Sequence, residues 1–286
     1  MKKIKKLLFV ALTLLTAACG TTNTVPITGR KTHLLVNDAQ ILSLSSQQYQ
    51  DYMKGAKQST NQKNTAMVKR VGQKLANAVV NYLNANGLGA EVSNYKWEFN
   101  LVQNKEVNAF CMPGGKIVVY EGILPVTKDE ASLAIVLGHE IAHAVAKHSA
   151  ERISNEYKKE SGMQILGAVA AATGVGSDWQ QLGSTVLGLG AEVWSSGFSR
   201  SQESEADHIG LIFAAMAGYD PQVAVSFWQR MSQTGSGSAS IFSDHPSDEK
   251  RIKQITAWMP EALKYYQAAT GRPASNNTPT FHFSTK

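Results

Sequence analysis

Cysteine is scarce in this 286-residue chain, which holds only two, Cys19 and Cys111. Two thiols cannot staple a small disulfide-rich domain, and without a C-x-x-C pair they offer neither a thiolate metal cage nor a dithiol redox couple. The several long apolar spans of a polytopic membrane protein are also missing, since each needs roughly 20 apolar residues. Charge of one sign is in short supply as well. The net charge is +6, from 28 basic and 22 acidic residues, and Lys2, Lys3, Lys5 and Lys6 account for most of it. The remainder carries about +2, which implies no nucleic-acid partner. With 43% hydrophobic and 17% charged residues, the chain has material for one good-sized core and is too apolar for global disorder.

What is present begins with a basic N-terminus followed by the apolar stretch Leu7 to Ala18. At twelve residues it is too short to span a bilayer and reads as a secretory signal, residues 1–18. The run Leu15-Thr-Ala-Ala-Cys19 resembles the bacterial lipobox, although Thr16 stands where leucine is preferred. Cleavage before Cys19 and lipidation of that residue are therefore expected, giving a membrane attachment through an N-terminal lipid anchor. Gly20 is not the aspartate that resembles an inner-membrane retention signal, so the expected location is the periplasmic face of the outer membrane. Residues 19–33, polar and containing Pro26 and Gly29, are expected to be a tether. The folded domain is then expected over 34–270 and a loose C-terminal tail over 271–286.

Periodicity predicts a mainly α chain of the α+β class. Apolar residues recur at helical spacing from Asn37 to about Gly55 and from Thr60 to about Asn84, with Asn37 and Thr60 as candidate N-caps. Between residues 95 and 124 the period changes to that of strands. Pro113-Gly114-Gly115 reads as a hairpin turn, so a small antiparallel sheet of about three strands is expected. Cys111 falls in one of these strands and reads as a small buried residue. A helix follows from about Lys128-Asp129-Glu130, past His143 towards His148. Ser161 to Phe198 is rich in Gly, Ala and Val and interrupted by Gly167, Gly174 and Gly176, and is expected to be a helical hairpin or lid rather than a membrane insertion. Arg200 to Gly218 is helical again, Asp220-Pro221 opens the next helix, and Pro246 to Trp258 and Pro260 to Ala269 read as two terminal helices.

The chemistry is concentrated at His139-Glu-Ile-Ala-His143, an H-E-x-x-H motif inside the apolar run Ala131 to Val145. Histidines four apart share a helix face and can both reach one metal ion, while Glu140 is placed to take a proton from an attacking water. Catalytic zinc has three protein ligands and an open position. Glu203-Ser-Glu-Ala-Asp207 offers a third: Glu203 and Asp207 lie one turn apart, so Glu203 can ligate and Asp207 can accept a hydrogen bond from a ligand imidazole. Glu205 is the rival for the ligand role. His148 and His208 read as surface or packing histidines, and Asp244 as a loop acceptor that could orient His245.

Four blocks together carry a family resemblance: His139 to His143, Ser199 to Gly210, Asn108-Ala-Phe-Cys-Met-Pro-Gly-Gly115, and His245-Pro246 with Arg251-Ile252. The sequence resembles the prenyl-protease/HtpX-like zinc metallopeptidases, and within them the soluble bacterial lipoprotein members of the LoiP and BepA type; Pro26-Ile-Thr-Gly-Arg30 fits these too. The resemblance implies a zincin-like metallopeptidase domain of gluzincin type, with one Zn2+ per chain and Glu203 as third ligand. It implies that Asn108, Ala109 and Phe110 belong to an edge strand along which substrate backbone pairs. It implies that His245 can occupy the open zinc position and hold the enzyme latent, and that Arg251 stabilises the transition state or anchors a loop. The expected substrates are unfolded or misassembled envelope proteins. The competing reading is a chaperone-like envelope assembly factor with a structural or latent zinc site, against which Glu140 argues, because a structural site needs no base.

Overall fold

A computed structural model describes residues 21–156, 158, 197–233 and 249–271. The expected signal segment, Cys19, Asp244, His245, the tail beyond residue 271, and nearly all of the stretch 161–198 lie outside the described residues.

The chain enters through a hairpin, strands β1 (Thr21–Thr24) and β2 (Lys31–Leu34), paired antiparallel. This corrects the expectation that 19–33 is a tether and that order begins at residue 34. Val25 is buried, and the turn is closed by hydrogen bonds from the Val25 amide to the Arg30 carbonyl and from the Gly29 amide to the Val25 carbonyl. The sequence looked loose because the polar residues that suggested solvent are bonded to partners far along the chain.

Helix α1 (Asp38–Gly55) is capped by Asn37, whose side chain accepts from the Gln40 amide while Gln40 returns a bond to the Asn37 amide. Helix α2 (Gln62–Ala85) is capped by Asn61, one residue past the expected Thr60, and buries the stripe Val68, Val71, Leu75, Val79 and Leu83. Three strands follow, β3 (Glu98–Val102), β4 (Ala109–Met112) and β5 (Lys116–Tyr120), in the order β3-β5-β4. The hairpin β4-β5 is antiparallel as expected, but β3 pairs with β5 in parallel, so the sheet is mixed. The chain leaves β3, skips one strand position to lay down β4, and returns through Pro113-Gly114-Gly115 to place β5 in the gap. Alternating residues specify strands, not which neighbour each one takes. β4 is thereby left at the edge, bonded to β5 and to no other strand among the described residues.

Helix α3 (Glu130–Val145) is capped by Asp129, whose carboxylate accepts from the Ser132 amide. It is buried along nearly its whole length and packs on β4, α2 and helix α4 (Arg200–Met216). Gly138 and Gly210 make the crossing of α3 and α4 possible. A Cβ built on Gly138 would stand 2.6 Å from the Gly210 carbonyl oxygen, and one built on Gly210 2.6 Å from the His139 nitrogen. The helices touch backbone to backbone there. Helix α5 (Val223–Gln233) packs on α3. The last described helix is α6 (Glu249–Thr270), one continuous helix where two were expected. Pro260 sits inside it, because the buried stripe Ile252, Ile255, Met259 and Ala262 holds the helix on α4 across the missing donor. No helix among the described residues is long and apolar enough to cross a membrane.

Candidate active site

The α3–α4 crossing sets the site. His139 and His143 project from one face of α3, and their Nε2 atoms are 3.1 Å apart. Glu203, in the first turn of α4, points its carboxylate between them, with Oε2 3.4 Å from His139 Nε2 and Oε1 3.4 Å from His143 Nε2. All three residues are buried. Donors about 2.0–2.1 Å from a tetrahedral ion stand about 3.3–3.4 Å from one another. The residues present therefore fit zinc in both donor type and spacing. Glu140, one residue beyond His139 on α3, is 1% exposed.

Support behind the donors is asymmetric. His139 Nδ1 faces Asp207 Oδ1 at 2.9 Å, the contact expected from the sequence. Arg251, on α6, donates from Nη2 to the same Asp207 oxygen at 2.6 Å, and its guanidinium lies 3.5 Å above the centre of the Trp228 ring. Arg251 is thus seated behind His139, 3.8 Å from Glu203 Oε2. Burial pushes the His139 imidazole down, but hydrogen bonds and charge from Asp207 and Glu203 outweigh it and hold the group up at about 9. The same negative field favours a divalent cation. His143 behaves oppositely: burial, reinforced by its histidine neighbours against the pull of Glu203, drives it well below the ordinary range.

The remaining expected residues fall as follows. Ala109 and Phe110 are buried in the edge strand β4, and Asn108 immediately precedes it. Cys111 is buried, and burial together with the charge of Glu140 pushes its thiol well up, as suits a small core residue. His208 is a packing histidine, 2.7 Å from Glu261 and stacked on Trp258. Glu205 does not join the donors. Its carboxylate faces the other way and receives Thr28, Arg30 and His148.

His148 is the residue that periodicity misplaced. It was expected towards the end of the motif helix, as a surface or packing histidine. Instead α3 ends at Val145, Lys147 takes the left-handed conformation at φ 58°, and a new helical segment begins at residue 148. Lys147 is held there by Asp38 and Glu91. The turn swings the wholly buried His148 ring back, so that its Nδ1 lies 2.9 Å from His143 Nδ1. No local signal in the sequence marks Lys147 as left-handed, because lysine is not a residue that favours that region.

A match to Peptidase family M48 spans residues 62–259. The chain belongs to peptidase family M48. It is 42% identical over 174 residues to the mitochondrial metalloendopeptidase OMA1 of Schizosaccharomyces pombe, covering 60% of this chain and 49% of that one. It is 30% identical over 226 residues to the metalloprotease LoiP of Escherichia coli, covering 77% and 81%. Over 161 residues it is 28% identical to the beta-barrel assembly-enhancing protease of Yersinia pestis, covering 54% and 33%. The chain spans about half the length of the OMA1 protein it matches. The M48 match begins at α2 and ends in α6, so it contains every donor described above.

Proposed function

We propose that this chain is a zinc-dependent endopeptidase of the bacterial cell envelope, of gluzincin type. The observation that carries this reading is the buried His139–His143–Glu203 trio at tetrahedral donor spacing with Glu140 next to His139 on the same helix. His139, His143 and Glu203 would hold the metal. When bound, zinc supplies Lewis acidity, lowering the pKa of water and polarising a carbonyl. Glu140 accepts the proton of the attacking water and returns it to the leaving amine. Asp207 orients the His139 imidazole, fixing the nitrogen that faces the metal. Substrate backbone pairs along the edge of β4, at residues 108–110, a mode that reads main chain more than side chains. An extended, locally unfolded segment is what can lie on such an edge.

Misfolded or misassembled envelope proteins are the substrates this reading implies. It is supported by the broad recognition mode, by the lipobox-like run ending at Cys19, and by the kinship with LoiP and the beta-barrel assembly-enhancing protease. Lipidation at Cys19 predicts palmitate incorporation that Cys19→Ala abolishes. His245 is read as a ligand that can occupy the open position, so His245→Ala should raise or alter activity; unchanged zinc affinity together with unchanged proteolysis removes that role. The central test is zinc content and casein-type proteolysis of the mature protein beside Glu140→Gln. The expected result is stoichiometric zinc in both and cleavage reduced at least about 100-fold in the variant. Equal cleavage by both overturns the mechanism.

A further inference from the structure

His143 has a support chain of its own that runs away from Asp207, and it ends in the N-terminal hairpin. His143 Nδ1 faces His148 Nδ1 at 2.9 Å, and His148 Nε2 faces Glu205 Oε2 at 3.0 Å. Arg30 Nε donates to the same Glu205 oxygen at 2.8 Å, and the Thr28 hydroxyl donates to Oε1 at 2.6 Å. The rest of the Arg30 guanidinium forms a fork with Glu151, at 2.8 and 2.9 Å. Gln202 also donates to Glu151, at 2.9 Å. Every link from the imidazole to the hairpin is within hydrogen-bond reach, and both His148 and Glu205 are buried.

The direction of the protons along this chain follows from the donor role of His143. With Nε2 as the ligand atom, a neutral His143 carries its hydrogen on Nδ1 and must donate to His148 Nδ1. His148 then accepts on Nδ1 and holds its own hydrogen on Nε2, where Glu205 takes it. One tautomer of each ring satisfies all the contacts. Glu205 cannot supply its end alone. Burial works against its charge, and the bonds from His148, Arg30 and Thr28 overcome that and hold it down at about 2.

The hairpin is built to deliver those two donors. Ile27 takes φ 67°, a conformation rare for a β-branched residue, and Gly29 takes φ 68°. The Ile27 amide is tied to the Tyr82 hydroxyl of α2 at 3.0 Å. Backbone strain of this kind persists only where surrounding contacts over-determine it. Here it turns Thr28 and Arg30 inward on the same carboxylate.

We propose that His148 is a positioning residue for the metal ligand His143, and that the Val25–Arg30 turn is part of the metal site, locking His148 through Glu205. This rests on the zinc-peptidase reading. It makes the site a joint product of α3, α4 and the β1–β2 hairpin, with each ligand histidine backed by its own carboxylate: Asp207 for His139 directly, Glu205 for His143 through one intervening ring. It also gives the segment before the M48 match a role in the chemistry.

The test uses the mature chain, with zinc affinity measured by chelator competition and the visible spectrum of the cobalt-substituted protein as an activity-independent readout. Asn places an acceptor where His148 Nδ1 stands, whereas Leu does not, so His148→Asn separates the bond from the bulk of the ring. His148→Leu should weaken zinc binding about 10- to 100-fold and shift the cobalt bands, with His148→Asn recovering part of both. Arg30→Lys, which keeps the charge but loses the fork, and Thr28→Val should each weaken zinc several-fold and lower kcat more than they alter KM. Wild-type affinity and cobalt spectrum in both His148 variants overturn the proposal. Should His148→Leu fail to fold, unchanged affinity in both Arg30→Lys and Thr28→Val overturns it equally. Absence of stoichiometric zinc from the wild type would instead refute the peptidase reading on which it rests.

Discussion

Gly210→Ala tests the helix crossing that builds the site, because two physical effects predict opposite signs. In an unconstrained helix interior, replacing glycine by alanine stabilises by about 1 kcal/mol. At Gly210 the added Cβ would lie 2.6 Å from the His139 nitrogen, 2.7 Å from the Gly138 carbonyl carbon and 2.8 Å from the His139 Cα. All three are backbone atoms, which cannot rotate away. Restoring ordinary contact at 3.4 Å requires α3 and α4 to separate by about 0.8 Å, and overpacking of this kind costs about 1–3 kcal/mol. The steric effect should win, lowering the melting temperature by roughly 2–4 °C for each kcal/mol of net destabilisation. The consequence for metal is larger. Glu203 is on α4 and the histidines are on α3, so the separation opens donor distances that are now 3.4 Å, in a site that tolerates only about 0.2 Å. Zinc affinity should fall more than tenfold. Thermal unfolding followed by circular dichroism, with and without zinc, and chelator competition measure the two effects. A Gly210→Ala protein that melts higher and binds zinc as tightly as wild type would refute the close-approach argument.

Three further outcomes are expected. Glu203→Gln should lose stoichiometric zinc while Glu205→Gln weakens but retains it; the reverse pattern in metal analysis would show the wrong glutamate assigned as ligand. Glu205 contributes stability that is present above the unfolded carboxylate value near 4.3 and is lost as pH falls towards about 2. Glu98, Glu130 and Glu151 are displaced in the same direction, so melting temperature should decline through that window, and less steeply in Glu205→Gln. Cys111 should resist thiol reagents at neutral pH in the folded protein and react once denatured, since burial both shields it and suppresses its thiolate. Rapid labelling of the native protein would contradict its place in the core.

The spacing of His139, Glu140 and His143 was enough to predict a two-histidine metal face, because a helix converts four-residue spacing into a shared face whatever surrounds it. The pair Glu203 and Asp207 was legible for the same reason, and so was the cap at Asn37, where one side chain answers an orphan amide three residues on. The features that were missed depend on contacts between distant segments. Lys147 adopts its left-handed turn in a setting supplied by Asp38 and Glu91, and only that turn returns His148 to His143. The segment 21–34 reads as a polar tether until Glu205 and Glu151 are placed beside Arg30. Strand β3 takes β5 as a parallel neighbour, and α6 continues through Pro260, because of what each packs against.

Sequence alone determined the local pattern of this protein: helix faces, a cap, a histidine pair sharing one face with a glutamate between them, and a carboxylate pair one turn apart on a later helix. Tertiary structure decided which carboxylate joins the histidine pair and which is turned away, where the buried His148 goes, and that the hairpin of residues 21–34 closes the network. The physical reason is range. Helical periodicity and capping act within a few residues, whereas the contacts linking Arg30, His148, Glu205 and Glu151 join residues 57 to 175 positions apart, and those exist only once the core has brought them together.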